Sequence, residues 1–174
     1  EGHIKSKNLL PIQPTQTVNG ILFTVFGDGK IVISGTASAD AGLTIPLFLP
    51  ANTYTVSMNN PSVLGEDMLR FIVYSKSGAP LCTVNADSVN KTATFKSTSE
   101  ITTFSIRVTK GVTLDDFVIM PQLEIGSVAS NYTPMTDLGN VLCSVFGKNL
   151  LLAVVLFVLV HAVLQILVLN QILC

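Results

Sequence analysis

The sequence predicts an all-β domain, an antiparallel β-sandwich of jelly-roll type, followed by a C-terminal hydrophobic helix. Between residues 4 and 134, short apolar runs alternate with polar positions and stop at Gly, Pro, Asn or Asp, which is the pattern of strands and turns. These runs recur about every 10–12 residues, a spacing typical of β-sandwiches. Residues 149–174, in contrast, hold no charged side chain. We therefore expect a sandwich module at 4–134, a linker at 135–148 and an apolar segment at 149–174.

The first half of the predicted sandwich is marked by its turns. Residues 21–26 and 30–35 are expected to form a hairpin around Gly27-Asp28-Gly29, because glycine tolerates the positive φ of tight hairpin turns. Residues 41–49 form the next apolar run. Pro46 interrupts this run and indicates an edge strand or a bulge, because proline has no N–H to donate to a neighbouring strand.

The second half continues the same pattern. Residues 53–58 alternate strictly, which places Tyr54, Val56 and Met58 on one face of a strand. Beyond a polar loop, the remaining predicted strands are 68–74, 81–84, 92–96, 101–108 and 116–123. Together these runs predict about eight or nine strands and no helix before residue 134.

Composition argues against a nucleic-acid partner. Charged residues make up 12% of the 174-residue chain, the net charge is −1, and the ten basic residues are scattered. Phosphate binding needs a basic patch, and none is visible. The three cysteines are far apart and odd in number, so they indicate neither a metal quartet nor a disulfide framework.

Catalytic constellations are not apparent either. The two histidines, His3 and His161, lie at the N-terminus and in the apolar segment, so no Ser-His-Asp or Cys-His arrangement is expected. The adjacent carboxylates Glu66-Asp67 and Asp115-Asp116 would point to opposite faces of a strand, unlike a glycosidase pair. We therefore do not expect an enzyme.

Residues 115–134, DDFVIMPQLEIGSVASNYTP, carry a more specific signal. This stretch resembles the closing strand of small jelly-roll modules in bacteriophage tail and receptor-binding proteins, which in turn are similar to carbohydrate-binding modules. The turn-and-strand motifs at 7–11, 27–31 and 49–55 resemble the same modules, although Asn52 stands where such modules usually have Gly. The resemblance covers about residues 7–134.

The resemblance implies sites for a glycan and for calcium. Sugar rings have apolar faces and hydroxyl edges, so the candidate contacts are Tyr74, Tyr54 and Glu124. Each has a structural alternative: a core or edge tyrosine, and a carboxylate that accepts structural hydrogen bonds. Asp115 and Asp116 precede the last strand, where such modules often hold a structural calcium; the alternative is a solvated pair of turn carboxylates.

The resemblance implies a non-catalytic binding module of a phage tail or host-attachment structure that recognises cell-surface glycan, acts as a homo-oligomer and resides in the virion or at a cell surface. One alternative is a structural spacer that contacts other virion proteins and binds no ligand. Another is a membrane-anchored surface protein, because residues 149–174 exceed the roughly 20 apolar residues that cross a bilayer. The same segment would also suit a helix bundle or a non-native end.

Overall fold

The computed structural model describes residues 7–135, which form antiparallel sheets in a sandwich-like arrangement. The strands within this range are β1 (Gln16–Val18), β2 (Ile21–Val25), β3 (Ile31–Thr36), β4 (Ala41–Leu49), β5 (Thr53–Ser57), β6 (Leu69–Ser75), β7 (Pro80–Asn85), β8 (Thr92–Lys96), β9 (Ile101–Val108), β10 (Thr113–Ile119) and β11 (Gln122–Ile125). They pair in the orders β1-β2-β3-β10, β11-β5-β8 and β4-β9-β6-β7. The predicted all-β class is confirmed. Met135, the first residue of the predicted linker, is buried in the core, whereas the rest of the linker and the predicted C-terminal helix lie outside the described residues.

The inward-facing side chains of all three sheets form one apolar core. Strand β4 shows the pattern most clearly: every second residue from Ala41 to Leu49 is buried, and the residues between them are not. Tyr54 and Val56 on β5 and Met58 directly after it are fully buried, as their alternation predicts. Burying an apolar side chain of this size contributes about 1.5–3 kcal/mol, so the buried positions of these strands stabilise the sandwich substantially.

Pro46 lies in an edge strand, as its missing N–H requires. Strand β4 is the outermost strand of its sheet and pairs only with β9. The register between the two strands shifts after Pro46, between its pairing with Thr103 and the pairing of Leu49 with Ile101. The edge strand and the bulge that proline predicted are therefore both present.

The prediction of one final strand at 116–123 is wrong, because these residues belong to two strands in two different sheets. Strand β10 pairs with β3, and β11 pairs with β5. The break falls at Met120 and Pro121, where the proline cannot extend a ladder and the Met120 N–H donates to the Met58 carbonyl. The chain thus crosses from one sheet to the next at this point. Strand β1 was not predicted, because Gln16–Val18 is short and largely polar.

Nothing in residues 7–135 forms a helix that could cross a bilayer.

Candidate functional site

The outer surface of the sheet β4-β9-β6-β7 carries Tyr74 and is called the Tyr74 face here. On β6, Leu69, Phe71 and Val73 point into the core, so Arg70, Ile72 and Tyr74 point outward. The same alternation on the other strands, combined with their register, defines the rest of this face. It consists of Gly42, Thr44, Pro46 and Phe48 on β4, Thr103, Ser105 and Arg107 on β9, Arg70, Ile72 and Tyr74 on β6, and Pro80, Thr83 and Asn85 on β7.

Two aromatic side chains mark one end of the Tyr74 face. Tyr74 is half-buried and lies in register with Thr103 on one side and Pro80 on the other. Phe48 lies at the same end on the edge strand and is 55% exposed. Because β9 separates β4 from β6, the two strands that carry these side chains lie about 10 Å apart in the sheet. This end of the face thus offers apolar surface to solvent.

The centre of the Tyr74 face is recessed. Ser105 and Ile72 are in register on the two middle strands and are only 8% and 7% exposed. Their neighbours on the flanking strands, Thr44 and Thr83, are both exposed. The face therefore combines a shallow, partly apolar floor with hydroxyl groups along both sides.

Tyr54 lies in the core, which corrects the expectation that it contacts a ligand. Its side chain is fully buried, its ring stacks on Phe95 with centroids 5.9 Å apart, and its hydroxyl donates to the Pro50 carbonyl at 2.6 Å. Burial raises the pKa of Tyr54 to about 12. A sugar could not reach this ring without opening the core.

Glu124 accepts structural hydrogen bonds, which was the alternative to a ligand contact. Its carboxylate is buried on β11 and accepts hydrogen bonds from the Ser130 N–H at 2.8 Å, the Ser130 hydroxyl at 2.7 Å and the Gln122 side-chain amide at 3.0 Å. All three donors belong to the protein itself. The expectation that Glu124 contacts a ligand is therefore corrected, because its carboxylate is occupied within the protein.

Glu124 belongs to a polar network, the clasp, which consists of Asn8, Gln122, Glu124, Ser130 and Thr133. The Thr133 N–H donates to the Gln122 side-chain oxygen at 2.8 Å. Asn8 donates to the carbonyls of Pro121 and Thr133 at 2.9 and 3.1 Å, and its oxygen accepts from the Leu123 N–H. The clasp joins residues 7–11 to residues 121–133, the first and last stretches that carry the family resemblance.

Asp115 and Asp116 lie in the irregular part of β10, where its register with β3 shifts. Both are exposed, and Asp116 accepts a hydrogen bond from the Ser34 hydroxyl at 2.6 Å. Calcium takes about six to eight oxygen ligands. Across residues 7–135, no group of three or more His, Cys, Asp and Glu side chains is placed to hold a metal.

Comparison with known proteins leaves the family open. No family model matches the sequence, and no curated protein matches it significantly. One similar solved structure is a chain from the crystal structure of accessory secretory protein 1, 2 and 3 in Streptococcus pneumoniae, with 9% identity and a TM-score of 0.41 over 73% of this chain and 99% of that one. Another is the carbohydrate-binding module CBM1 of BiXyn10A in its apo form, with 15% identity and a TM-score of 0.39 over 68% of this chain and 87% of that one. Both likenesses are too distant to indicate a function.

The Tyr74 face includes three conspicuous side chains that the sequence did not single out: Phe48, Arg70 and Arg107. Alternation within the predicted strands would have turned all three outward. Their grouping depends on β9 lying between β4 and β6. That order joins segments distant in sequence, so no local pattern could reveal it.

Proposed function

We propose that residues 7–135 act as a non-catalytic binding module that recognises a surface glycan through the Tyr74 face. The observation that carries the proposal is the exposed Phe48 ring on the same sheet face as Tyr74, beside a recessed floor lined by hydroxyls. Sugar rings present apolar faces to aromatic side chains and hydroxyl edges to polar ones. The Tyr74 face supplies both kinds of partner within one surface.

The setting we propose is a phage tail or host-attachment structure, which the resemblance of residues 7–134 supports. A shallow face of this kind binds a single sugar weakly. A homo-oligomer that presents several copies would raise the overall affinity, because later contacts become intramolecular.

A structural spacer without a ligand is the second candidate. It is favoured by Ile125, the last residue of β11, and by Val128, three residues later, which are 45% and 78% exposed. Exposed apolar side chains so close in sequence suit a contact with another virion protein.

A glycan array probed with the full 174-residue chain tests the proposal. Phe48→Ala and Tyr74→Ala should each reduce binding by about tenfold, because an aromatic platform contributes on the order of 1 kcal/mol or more. Phe26→Ala is the matched control, since Phe26 is similarly exposed at 41% but lies by the β2–β3 hairpin.

Two results would contradict the proposal. Equal binding by the Phe48, Tyr74 and Phe26 variants would place the glycan on another surface. No binding to any glycan, together with self-association that is lost in Val128→Ser, would favour the spacer.

A further inference from the structure

The Tyr74 face brings two arginines side by side. Arg70 on β6 and Arg107 on β9 are direct partners in the antiparallel register, and both point outward. Directly opposed side chains have Cβ atoms about 4.5–5.5 Å apart, and like charges in this position destabilise a sheet. Such a pair therefore calls for an anion that compensates both cations.

The protein's own carboxylates compensate this pair poorly. Asp67 lies 3.5 Å from Arg70, and Asp40 lies 3.8 Å from Arg107, whereas a well-formed guanidinium–carboxylate bond is about 2.7–2.9 Å long. The other oxygen of Asp40 is already engaged, because it accepts the Lys110 N–H at 3.0 Å. Exposed ion pairs of this kind contribute only about 0–1 kcal/mol, so a ligand could displace them readily.

The surroundings of the two arginines are also under-satisfied. Asn85 is the register partner of Arg70 on β7, and its side-chain oxygen is buried without a hydrogen-bond partner among residues 7–135. The Nε of Arg70 is likewise buried and has no hydrogen-bond partner within residues 7–135. The guanidinium of Arg70 is thus not fixed by a saturated set of protein acceptors.

Gly42 leaves room beside the second arginine. It is the register partner of Arg107 on the edge strand and has no side chain to cover the guanidinium. A Cβ built at Gly42 would lie 3.5 Å from its nearest neighbour, the Ser105 hydroxyl, which is ordinary van der Waals contact, so a side chain fits there without a clash. The row formed by Gly42, Arg107, Arg70 and Asn85 is called the arginine row.

We infer that the arginine row binds an anionic group of the saccharide, a carboxylate or a sulfate, so that the module selects acidic glycans. This inference rests on the proposed function, because it names the class of glycan held by the same face. Arginine suits the task because its planar guanidinium can bond both oxygens of a carboxylate or sulfate, and two guanidinium groups can share one anion.

Binding of the full 174-residue chain to matched polysaccharides tests the inference. Oligogalacturonate is compared with its methyl ester, and dextran sulfate with dextran, so that the two members of each pair share a sugar backbone and differ in charge. The acidic member of one pair should bind at least tenfold more tightly than its neutral member. The affinity of the acidic member should fall as salt is raised from about 50 to about 500 mM, because salt screens the attraction between exposed charges. The pair that shows the difference identifies carboxylate or sulfate.

Variants of the arginine row sharpen the test. Arg107→Gln and Arg70→Gln should each reduce affinity for the acidic polymer by about tenfold or more. Arg107→Lys should bind more weakly than the original protein but more tightly than Arg107→Gln, because lysine keeps the charge but lacks the planar guanidinium. Lys96→Gln is the matched control: it removes one exposed charge from β8 in another sheet and should leave binding unchanged.

Gly42→Thr provides an independent steric test. Gly42 has no positive φ, and threonine favours strands, so the variant should fold while its side chain crowds Arg107. We expect at least a fivefold loss for the acidic polymer with an unchanged unfolding midpoint.

The outcomes separate this inference from the proposed function. Tight binding of a neutral glycan that depends on Phe48 and Tyr74 but not on the arginines overturns the inference alone. Binding of acidic polymers that depends on the arginines but not on the aromatic residues overturns the aromatic glycan platform alone. Binding of neither polymer type overturns both.

Discussion

Tyr132 shows at the scale of one residue how a side chain near the end of the module can serve structure. It is half-buried, and its hydroxyl donates to the Asp28 carbonyl at 2.7 Å. This hydrogen bond connects the segment after β11 to the β2–β3 hairpin. Burial and the negative charge of Asp28 raise the pKa of Tyr132 from 10.0 to about 12. Tyr54 has a pKa raised to about 12 by burial.

The two raised pKa values predict a loss of stability in alkali. The folded state holds each phenolic proton more tightly than the unfolded chain does, so the stabilisation is complete below pH 10 and is lost as the pH rises from about 10 through 12. Circular dichroism during urea unfolding at pH 8 to 12 measures this loss.

Tyr132→Phe provides the control for this prediction. At pH 8 it should cost about 1 kcal/mol through its lost hydrogen bond, but it should unfold with a shallower dependence on alkaline pH than the original protein. An unchanged slope would contradict the assigned role of Tyr132, since Tyr54 alone would then account for the effect.

At the scale of the element, the hydrogen bonds of the clasp stabilise β11. Strand β11 is only four residues long and lies at the edge of a three-stranded sheet. Its polar side chains Gln122 and Glu124 are buried because Thr133 and Ser130, in the segment that follows β11, bond to them. A short edge strand is thus stabilised from outside its own sheet.

Glu124→Gln should destabilise the domain by about 1–3 kcal/mol, because the new amide turns an N–H towards the donors of Ser130 and leaves a buried group unpaired. Glu100→Gln is the matched control, since Glu100 pairs with Lys76 on the surface and its loss should cost less than about 1 kcal/mol. Urea unfolding followed by circular dichroism measures both. Equal losses would show that the clasp contributes no more than a surface ion pair.

Most elements could be predicted because their signals are local. Alternation placed β4, β8 and β9 at the bounds they have in the structure, and Pro46 indicated the edge. The division of residues 116–123 into two strands was missed because alternation continues across Pro121, whereas in the structure the Met120 N–H leaves the ladder and donates to the Met58 carbonyl. Tyr54 was misassigned because burial of a hydroxyl depends on an acceptor, the Pro50 carbonyl, whose position is set by the turn.

At the scale of the whole molecule, the described module and the apolar residues 149–174 are expected to be separable. A chain that ends at residue 140 keeps the whole clasp and should fold and bind glycan without detergent. The 174-residue chain should require detergent, because an uncharged run longer than about 20 apolar residues partitions into lipid.

A shorter chain that ends at residue 125 is the control for this truncation. It lacks Ser130, Tyr132 and Thr133, so it should lose cooperative unfolding. Size-exclusion chromatography with and without detergent completes the test. A 174-residue chain that is monomeric without detergent would exclude the membrane anchor, whereas a detergent-free multimer that dissociates in the 140-residue chain would indicate a helix bundle.

The clasp has a consequence for how such a unit can be combined with other proteins. The Asn8 N–H lies 3.2 Å from the Thr133 hydroxyl, so the points where the chain enters and leaves the described module are neighbours in space. A unit with adjacent entry and exit can be inserted into a surface loop of a host protein without stretching that loop. The same closeness permits circular permutation, with a short peptide joining the old ends and new ends opened at the exposed turn around Gly78.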